Sequence, residues 1–235
     1  MKTIGLLGGL SWHSTAIYYQ HLNQLTNDVL GGLHSASINM VSLNFAPIAE
    51  LMQQKAWSEI SVGIVKAAQG LQLSGADGII LANNTLHQIM PEMQNSLDIP
   101  CIHIADALGE RLNTLGISTI GLLGTASTMR SGFYNRHLAE KYKVDVIMPD
   151  LDECIWLDKV IFSELCFGVM KEETKQHVLM LIKSFKERGA QAVALACTEL
   201  PLLIKEDTAY SMPLLDTSFI HCNYAVNWSL NTARQ

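Results

Sequence analysis

Thr3-Ile4-Gly5-Leu6-Leu7-Gly8 recurs letter for letter at Thr119-Ile120-Gly121-Leu122-Leu123-Gly124. Each copy is a short apolar run ending in glycine, the pattern of a buried parallel strand entering a loop. Two further pairs follow in the same order and at a nearly constant offset. Gly75-Ala76 leads through an apolar run to Asn83-Asn84-Thr85, and Gly189-Ala190 leads through another to Cys197-Thr198-Glu199. Ile99-Pro100-Cys101-Ile102-His103 then answers to Met212-Pro213-Leu214-Leu215-Asp216. Any α/β chain repeats strand, loop and helix, and that alone accounts for one such match. Three in register point to an internal duplication.

Outward from the first copy, the chain alternates. A helical pattern runs from about His13 to Leu30 with Ser11 as its N-cap, and Ala36 to Leu43 reads as a strand. Trp57 to Ser74 is an amphipathic helix, and Gly78 to Ala82 is a third buried strand. This rhythm predicts an α/β fold with parallel pairing and right-handed crossovers, one small sheet flanked by helices in each half. Ligands on open parallel sheets bind beyond the carboxyl ends of strands. Two facing copies are therefore expected to enclose a site in the cleft between them. Its lining would come from Gly8 to Trp12, Gly124 to Thr128, Asn83 to Thr85 and Cys197 to Glu199.

Composition narrows the classes. The chain has 235 residues, 49% of them hydrophobic and 16% charged, which suits an ordered α/β protein rather than a disordered one. The net charge is −6 and no basic run appears, so nucleic acid is not an expected partner. No apolar run approaches the length of a membrane span, and membrane association is not expected either. The five cysteines are an odd number without paired spacing. That predicts free thiols, a reducing cytoplasmic setting and no metal site.

One thiol stands out. Cys197 ends the apolar run Ala192 to Ala196, just before Thr198-Glu199-Leu200-Pro201. At the start of a following helix its pKa is expected to be lowered toward thiolate. Thr198 is placed to hold a carboxylate, and Glu199 to tune or relay a proton. A buried, inert cysteine is the ordinary alternative. In the matching loop, Asn83, Asn84 and Thr85 either cap a helix or cradle a substrate carboxylate. His87, about one turn further on, either acts as an acid/base or holds neighbouring loops.

The chain resembles the cofactor-independent aspartate/glutamate racemase family along essentially its whole length. The residues that carry the resemblance are Gly8-Gly9-Leu10-Ser11-Trp12-His13-Ser14-Thr15, Asn84-Thr85-Leu86-His87 and Ile102-His103-Ile104-Ala105-Asp106-Ala107. Leu123-Gly124-Thr125 leading to Thr128-Met129, Cys197-Thr198-Glu199 and Pro213-Leu214-Leu215-Asp216-Thr217 complete them. The resemblance implies two pseudo-symmetric lobes, no pyridoxal phosphate, no metal and a homodimer. It divides the chain into residues 1–98 plus about 208–235, and about 99–207, with the closing helix returning to the first lobe.

Family racemases set two thiols on opposite faces of the substrate Cα. The chemistry explains why. A Cα–H is very weakly acidic, so its removal needs a positioned base, and inversion needs a proton donor on the other face. Carried onto this chain, the resemblance implies catalytic roles at Cys197, Asn83, Glu199 and His87. The substrate falls to Ser11, Trp12, Asn84, Thr85, Thr125, Thr128 and Thr198. Two positions depart from the pattern. Asn83 stands where the family motif has the first thiol, and a neutral carboxamide neither takes nor gives a proton near pH 7. Phe167 stands where members specific for acidic amino acids often carry a basic residue.

Three functions therefore stay open. One is an amino-acid racemase for aspartate or glutamate working with one thiol. Another is a one-thiol decarboxylase or isomerase of small dicarboxylates, and the third is a carboxylate-binding homologue without turnover. Resemblance of fold does not choose among them.

Overall fold

The computed structural model describes residues 1–204 and 212–231. It falls into two compact units, Met1–Ile104 with His221–Gln235, and Ala105–Ile220. Each is built on a four-stranded, all-parallel sheet.

The first unit runs β1 (Ile4–Gly8), α1 (Trp12–Leu30), β2 (Ile38–Ser42), α2 (Phe45–Gln53), α3 (Trp57–Leu73) and β3 (Gly78–Leu81). A 3₁₀ turn (Thr85–Ile89), α4 (Met90–Asn95) and β4 (Cys101–Ile102) follow, and α5 (Ile104–Leu115) leads away. The second unit contains β5 (Thr119–Gly124), α6 (Ala126–Arg130), α7 (Phe133–His137), a π-helical turn (Leu138–Tyr142) and β6 (Asp145–Ile147). Then come α8 (Leu151–Ser163), a 3₁₀ turn (Leu165–Phe167), α9 (Glu172–Glu187), β7 (Ala192–Ala196), α10 (Leu200–Leu203) and β8 (Leu214–Asp216). Helix α11 (Thr217–Leu230) closes the chain as described.

Strand order is β2-β1-β3-β4 in one sheet and β6-β5-β7-β8 in the other. The two halves thus share a topology as well as the repeated strand sequence. All residues of β1, β3 and β7 are buried. Strands covered on both faces cannot alternate polar with apolar, which is why these segments read as continuous apolar runs.

The pleat divides the first sheet's side chains between two clusters. Leu7, Ile79 and Leu81 pack against Ile60, Ile64, Ala68 and Leu71 of α3. Leu6 and Ile80 point to the other face, where Tyr18 and Leu22 of α1 and Cys222, Ala225 and Val226 of α11 cover them. In the second unit, Leu123, Val193 and Leu195 pack with Leu157 and Ile161 of α8 and Val178, Ile182 and Phe185 of α9.

The repeated glycine inside the strand has a packing cause. A Cβ at Gly121 would lie 2.3 Å from the Phe185 ring, so the large side chain on α9 needs a bare backbone beneath it. Gly9, just past β1, is held by a different constraint. Its φ is +83°, and an added Cβ would lie 2.1 Å from the Leu43 carbonyl oxygen. The approach is close because the Leu43 N–H donates to the Gly8 carbonyl at 3.0 Å, extending the β1–β2 pairing into the loops. Gly9→Ala is expected to lower stability by about 2 to 3 kcal/mol, from left-handed backbone strain plus the clash. Urea unfolding of the variant beside the parent measures this, and equal midpoints would refute the account.

The unit boundaries differ from those read from the sequence. A cut after residue 98 would sever β4, yet Cys101 and Ile102 pair with Ile79 and Ile80 of β3. A return to the first lobe at about 208 would misplace β8, whose Leu214 to Asp216 pair with Val193 to Leu195 of β7. The chain leaves the first unit after Ile104 and rejoins it at His221, inside α11. Residues 205–211 of the expected boundary lie outside the described residues.

Candidate functional site

The sheet registers fix which loops correspond. Leu7 on β1 lies opposite Leu81 on β3, and Leu123 on β5 lies opposite Leu195 on β7. Two residues beyond Leu81 stands Asn83, and two beyond Leu195 stands Cys197. These residues occupy equivalent places beyond the carboxyl ends of the corresponding strands, where α/β sheets bind ligands.

Cys197 is 8% exposed, and its Sγ donates to Glu199 Oε2 at 3.0 Å. The Thr198 hydroxyl donates to the same oxygen at 2.8 Å. A second thiol, Cys166 in the 165–167 turn, packs against the apolar cluster that contains Cys197. Burial, reinforced by the Glu199 charge, pushes the Cys197 thiol well above its ordinary range.

This reverses the lowered pKa expected from the sequence. Helix α10 is a single turn, so it offers little of the positive field that a long helix would supply. A backbone hydrogen bond at Glu199 favours thiolate, but burial and the carboxylate outweigh it. The raised pKa keeps Cys197 a thiol. Thr198, expected to hold a substrate carboxylate, spends its hydroxyl on the carboxylate of Glu199.

Asn83 is engaged on both sides. Its amide donates to the Leu10 carbonyl in the loop after β1, and its Oδ1 accepts the Leu86 N–H at 2.9 Å. The Asn83 carbonyl accepts from His87 Nδ1 at 2.6 Å. Asn83 therefore ties the β1–α1 loop to the start of the 85–89 turn. Asn84 and Thr85 are buried beside it, with the Asn84 carbonyl accepting the His87 N–H at 3.1 Å.

Of the two roles open for His87, the geometry matches loop holding. The residue is 1% exposed and packs edge-on against His103 and His221, with ring centroids 5.1 and 5.2 Å away. Burial first, then the two neighbouring imidazoles, drive its pKa well below normal, so the ring is neutral. His221 is fixed likewise. Its Nε2 lies 2.8 Å from the Ile102 carbonyl and must carry the proton, which leaves Nδ1 to accept from the Tyr18 hydroxyl at 3.1 Å. Burial pushes His221 down to about 4.

Of the remaining expected residues, Ser11 and Thr125 cap helices. Ser11 caps α1, accepting the Ser14 N–H at 3.3 Å, and its carbonyl accepts the Thr15 hydroxyl at 2.8 Å. Thr125 caps α6 through the Thr128 N–H at 3.1 Å, and the two hydroxyls lie 2.9 Å apart. Trp12 is 66% exposed and stacks on His13 at 3.6 Å, so it does not anchor the first helix through burial.

With the geometry in place, the comparisons can be read. The model of the Asp/Glu/hydantoin racemase family matches residues 7–225. The chain belongs to this family. Among curated relatives of this racemase-family chain is the broad-specificity amino-acid racemase RacX of Bacillus subtilis (strain 168), 23% identical over 92% of each chain. Among solved structures, a candidate Asp/Glu racemase from Yersinia pestis is 37% identical with a TM-score of 0.92, covering 98% of this chain and all of its own. An aspartate racemase homologue from Pyrococcus horikoshii OT3 is 31% identical with a TM-score of 0.85, over 98% and 100% of the two chains.

Sequence reading of this family member missed two features. Cys166 was counted only among the free thiols, because its distance along the chain from Cys197 hides their place at one apolar cluster. His221 escaped notice inside the closing helix; the one available hint was a lone histidine beside Cys222. Among the described residues no helix is long and apolar enough to cross a membrane.

Proposed function

We propose that this chain is an amino-acid racemase that needs no pyridoxal phosphate, acting on aspartate or glutamate through proton transfer at Cα. The observation that carries the reading is the Cys197–Glu199 hydrogen bond beyond a buried strand. Cys197 serves one face of the substrate. As an acid it gives its thiol proton to the carbanion; as a base it first passes that proton to Glu199, and the thiolate then takes the α-hydrogen. Thr125, Thr128, Asn84 and Thr85 are the polar groups assigned to the substrate carboxylate, where negative charge grows as the C–H bond breaks.

Asn83 stands where the family motif has the first thiol. Its Oδ1 and Nδ2 are both held by the backbone, and neither group titrates near neutrality. Turnover is therefore one-sided, with water supplying the opposite face. Phe167, 77% exposed where a cation would mark specificity for acidic side chains, widens the range of amino acids to be tried.

The test is α-proton exchange in deuterated water, followed by NMR with L- and then D-enantiomers of aspartate, glutamate and neutral amino acids. Rapid exchange of one enantiomer with slow inversion is the expected pattern. Asn83→Cys should then raise inversion by at least about tenfold, since it restores a group that titrates. Absence of exchange with every amino acid would remove the racemase reading.

One observation favours a second reading. A lone thiol held protonated is sufficient to protonate a carbanion left by loss of carbon dioxide. Release of carbon dioxide from an arylmalonate, without amino-acid exchange, would select that one-thiol decarboxylase.

A further inference from the structure

Strands β5 and β7 end side by side. Gly124 lies opposite Ala196 in the register, and a Cβ on Gly124 would come within 2.9 Å of the Ala196 carbonyl oxygen. The next residues, Thr125 and Cys197, leave the sheet together. Beyond Thr125 the chain turns at once into α6, a helix of five residues, too short to hold its own direction. It is seated on α8 instead. Cys154, Leu157 and Ile161 follow one face of α8 and pack in one cluster with Met129 of α6. Asp158 is the charged member of that face, and its Oδ1 accepts the Ala126 N–H at 2.7 Å.

We propose that Asp158 is a positioning residue for the reaction, fixing through Ala126 the direction in which Thr125 presents its hydroxyl beyond the strand ends. The inference rests on the reading of Thr125 and Thr128 as part of the carboxylate cradle. The peptide unit between Thr125 and Ala126 is held at both polar ends. Asp158 takes its N–H, and its carbonyl accepts the Met129 N–H at 3.0 Å. With that plane set, the Thr125 side chain keeps one freedom, rotation about χ1. Thr128 removes it, donating its N–H to the Thr125 hydroxyl oxygen at 3.1 Å and setting its own hydroxyl 2.9 Å away. Thr128 is buried and Thr125 half-buried, so Thr125 is the one that a ligand reaches.

A carboxylate on that face of α8 gives up part of its hydration, and among the described residues it enters no ion pair. The Ala126 N–H returns a charge-assisted hydrogen bond, which holds a backbone group more firmly than a neutral one. Without that acceptor the peptide plane would swing. The Thr125 hydroxyl would then meet a substrate carboxylate in only part of its orientations, and the cost would fall on binding first.

Asp158→Ala removes the acceptor, whereas Asp158→Asn keeps an acceptor oxygen in the same place without the charge. Both are assayed by α-proton exchange in deuterated water, with the aspartate enantiomer that the parent exchanges. In the alanine variant KM should rise about tenfold while kcat falls by less than about threefold, since Cys197 and Glu199 are untouched. The asparagine variant should keep KM within about threefold of the parent. A merely structural loss lowers the amount of active protein, and hence kcat, with KM unmoved. That result, or an asparagine variant as impaired as alanine, overturns the inference. Amide hydrogen exchange at Ala126, followed by NMR, makes the same comparison without turnover. It should quicken at least about tenfold in the alanine variant and stay near the parent's rate in the asparagine variant. Unchanged protection in the alanine variant overturns the inference as well. Asp158→Leu, similar in shape and without an acceptor, takes the place of an alanine variant that fails to fold. A parent that exchanges no amino acid would sink the racemase reading, while the Ala126 amide rates decide the hold of Asp158 separately.

Discussion

Cys197→Ala is expected to reduce α-proton exchange by at least about a thousandfold, within the span of a positioned acid/base group. On the proposed reading, the buried thiol beyond β7 is the group that gives and takes the proton at Cα. Alanine leaves Glu199 in place, but a carboxylate bound by Cys197 and Thr198 is set to manage the thiol's proton rather than the substrate's. The loss should fall on kcat and on kcat/KM alike, because the thiol acts in the transition state rather than in binding. Serine at the same position should rescue little, since its hydroxyl is far less acidic than a thiol. Deuterium incorporation into the substrate, measured for parent and variant under matched conditions, checks the expectation. Undiminished exchange in the alanine variant would dismantle the whole site assignment.

Acidification is the second large effect. His221 titrates at about 4 in the folded chain and near 6.5 when unfolded. Between those values the unfolded chain binds the proton that the folded chain refuses, so stability falls as pH drops through that window. His221 alone is then worth on the order of 3 kcal/mol between neutrality and pH 4. His87 moves in the same direction, being depressed for the same reason. The carboxylates act elsewhere. Burial works against the Asp106 charge, but hydrogen bonds from His137, Lys141 and Tyr142 outweigh it and hold the carboxyl below its usual range. A depressed acid contributes stability that is lost only below its unfolded pKa of about 3.9. Urea unfolding from pH 7.5 down to 4.5 therefore isolates the imidazoles. His221→Gln keeps a donor toward Ile102 and cannot titrate, so it should flatten the slope by about one proton. A parent whose stability is level across the window would contradict the buried, neutral assignment.

Much of the architecture was legible in the repeated Thr-Ile-Gly-Leu-Leu-Gly. A parallel strand covered on both faces must be apolar throughout, and in the second copy its glycine must clear the Phe185 ring, so sequence and packing agree. The unit boundaries were less legible. Strand β4 has two residues and β8 three, too short for periodicity to register, and their pairing is set by neighbours distant in sequence. At the site, position was legible and electrostatics was not. The strand end pointed to Cys197 and to Asn83, but the sign of the Cys197 shift depended on burial and on where Glu199 turns its carboxylate. His87 illustrates the same division. Its spacing from Asn83 left two roles open, and its neutrality follows from burial first and then from His103 and His221, which only the fold brings near.

The way α11 rejoins the first unit bears on how the protein is made. The covering residues Cys222, Ala225 and Val226 leave the ribosome after the whole of the second unit has been synthesised. Until then the face of the first sheet that carries Leu6 and Ile80 lacks part of its cover, while the second unit already holds every strand it needs. Order of synthesis and order of completion are thus inverted: the half begun first is finished last. A nascent chain stalled before α11 would expose that apolar face to other chains, which makes the closing helix a safeguard against aggregation as well as a piece of the core.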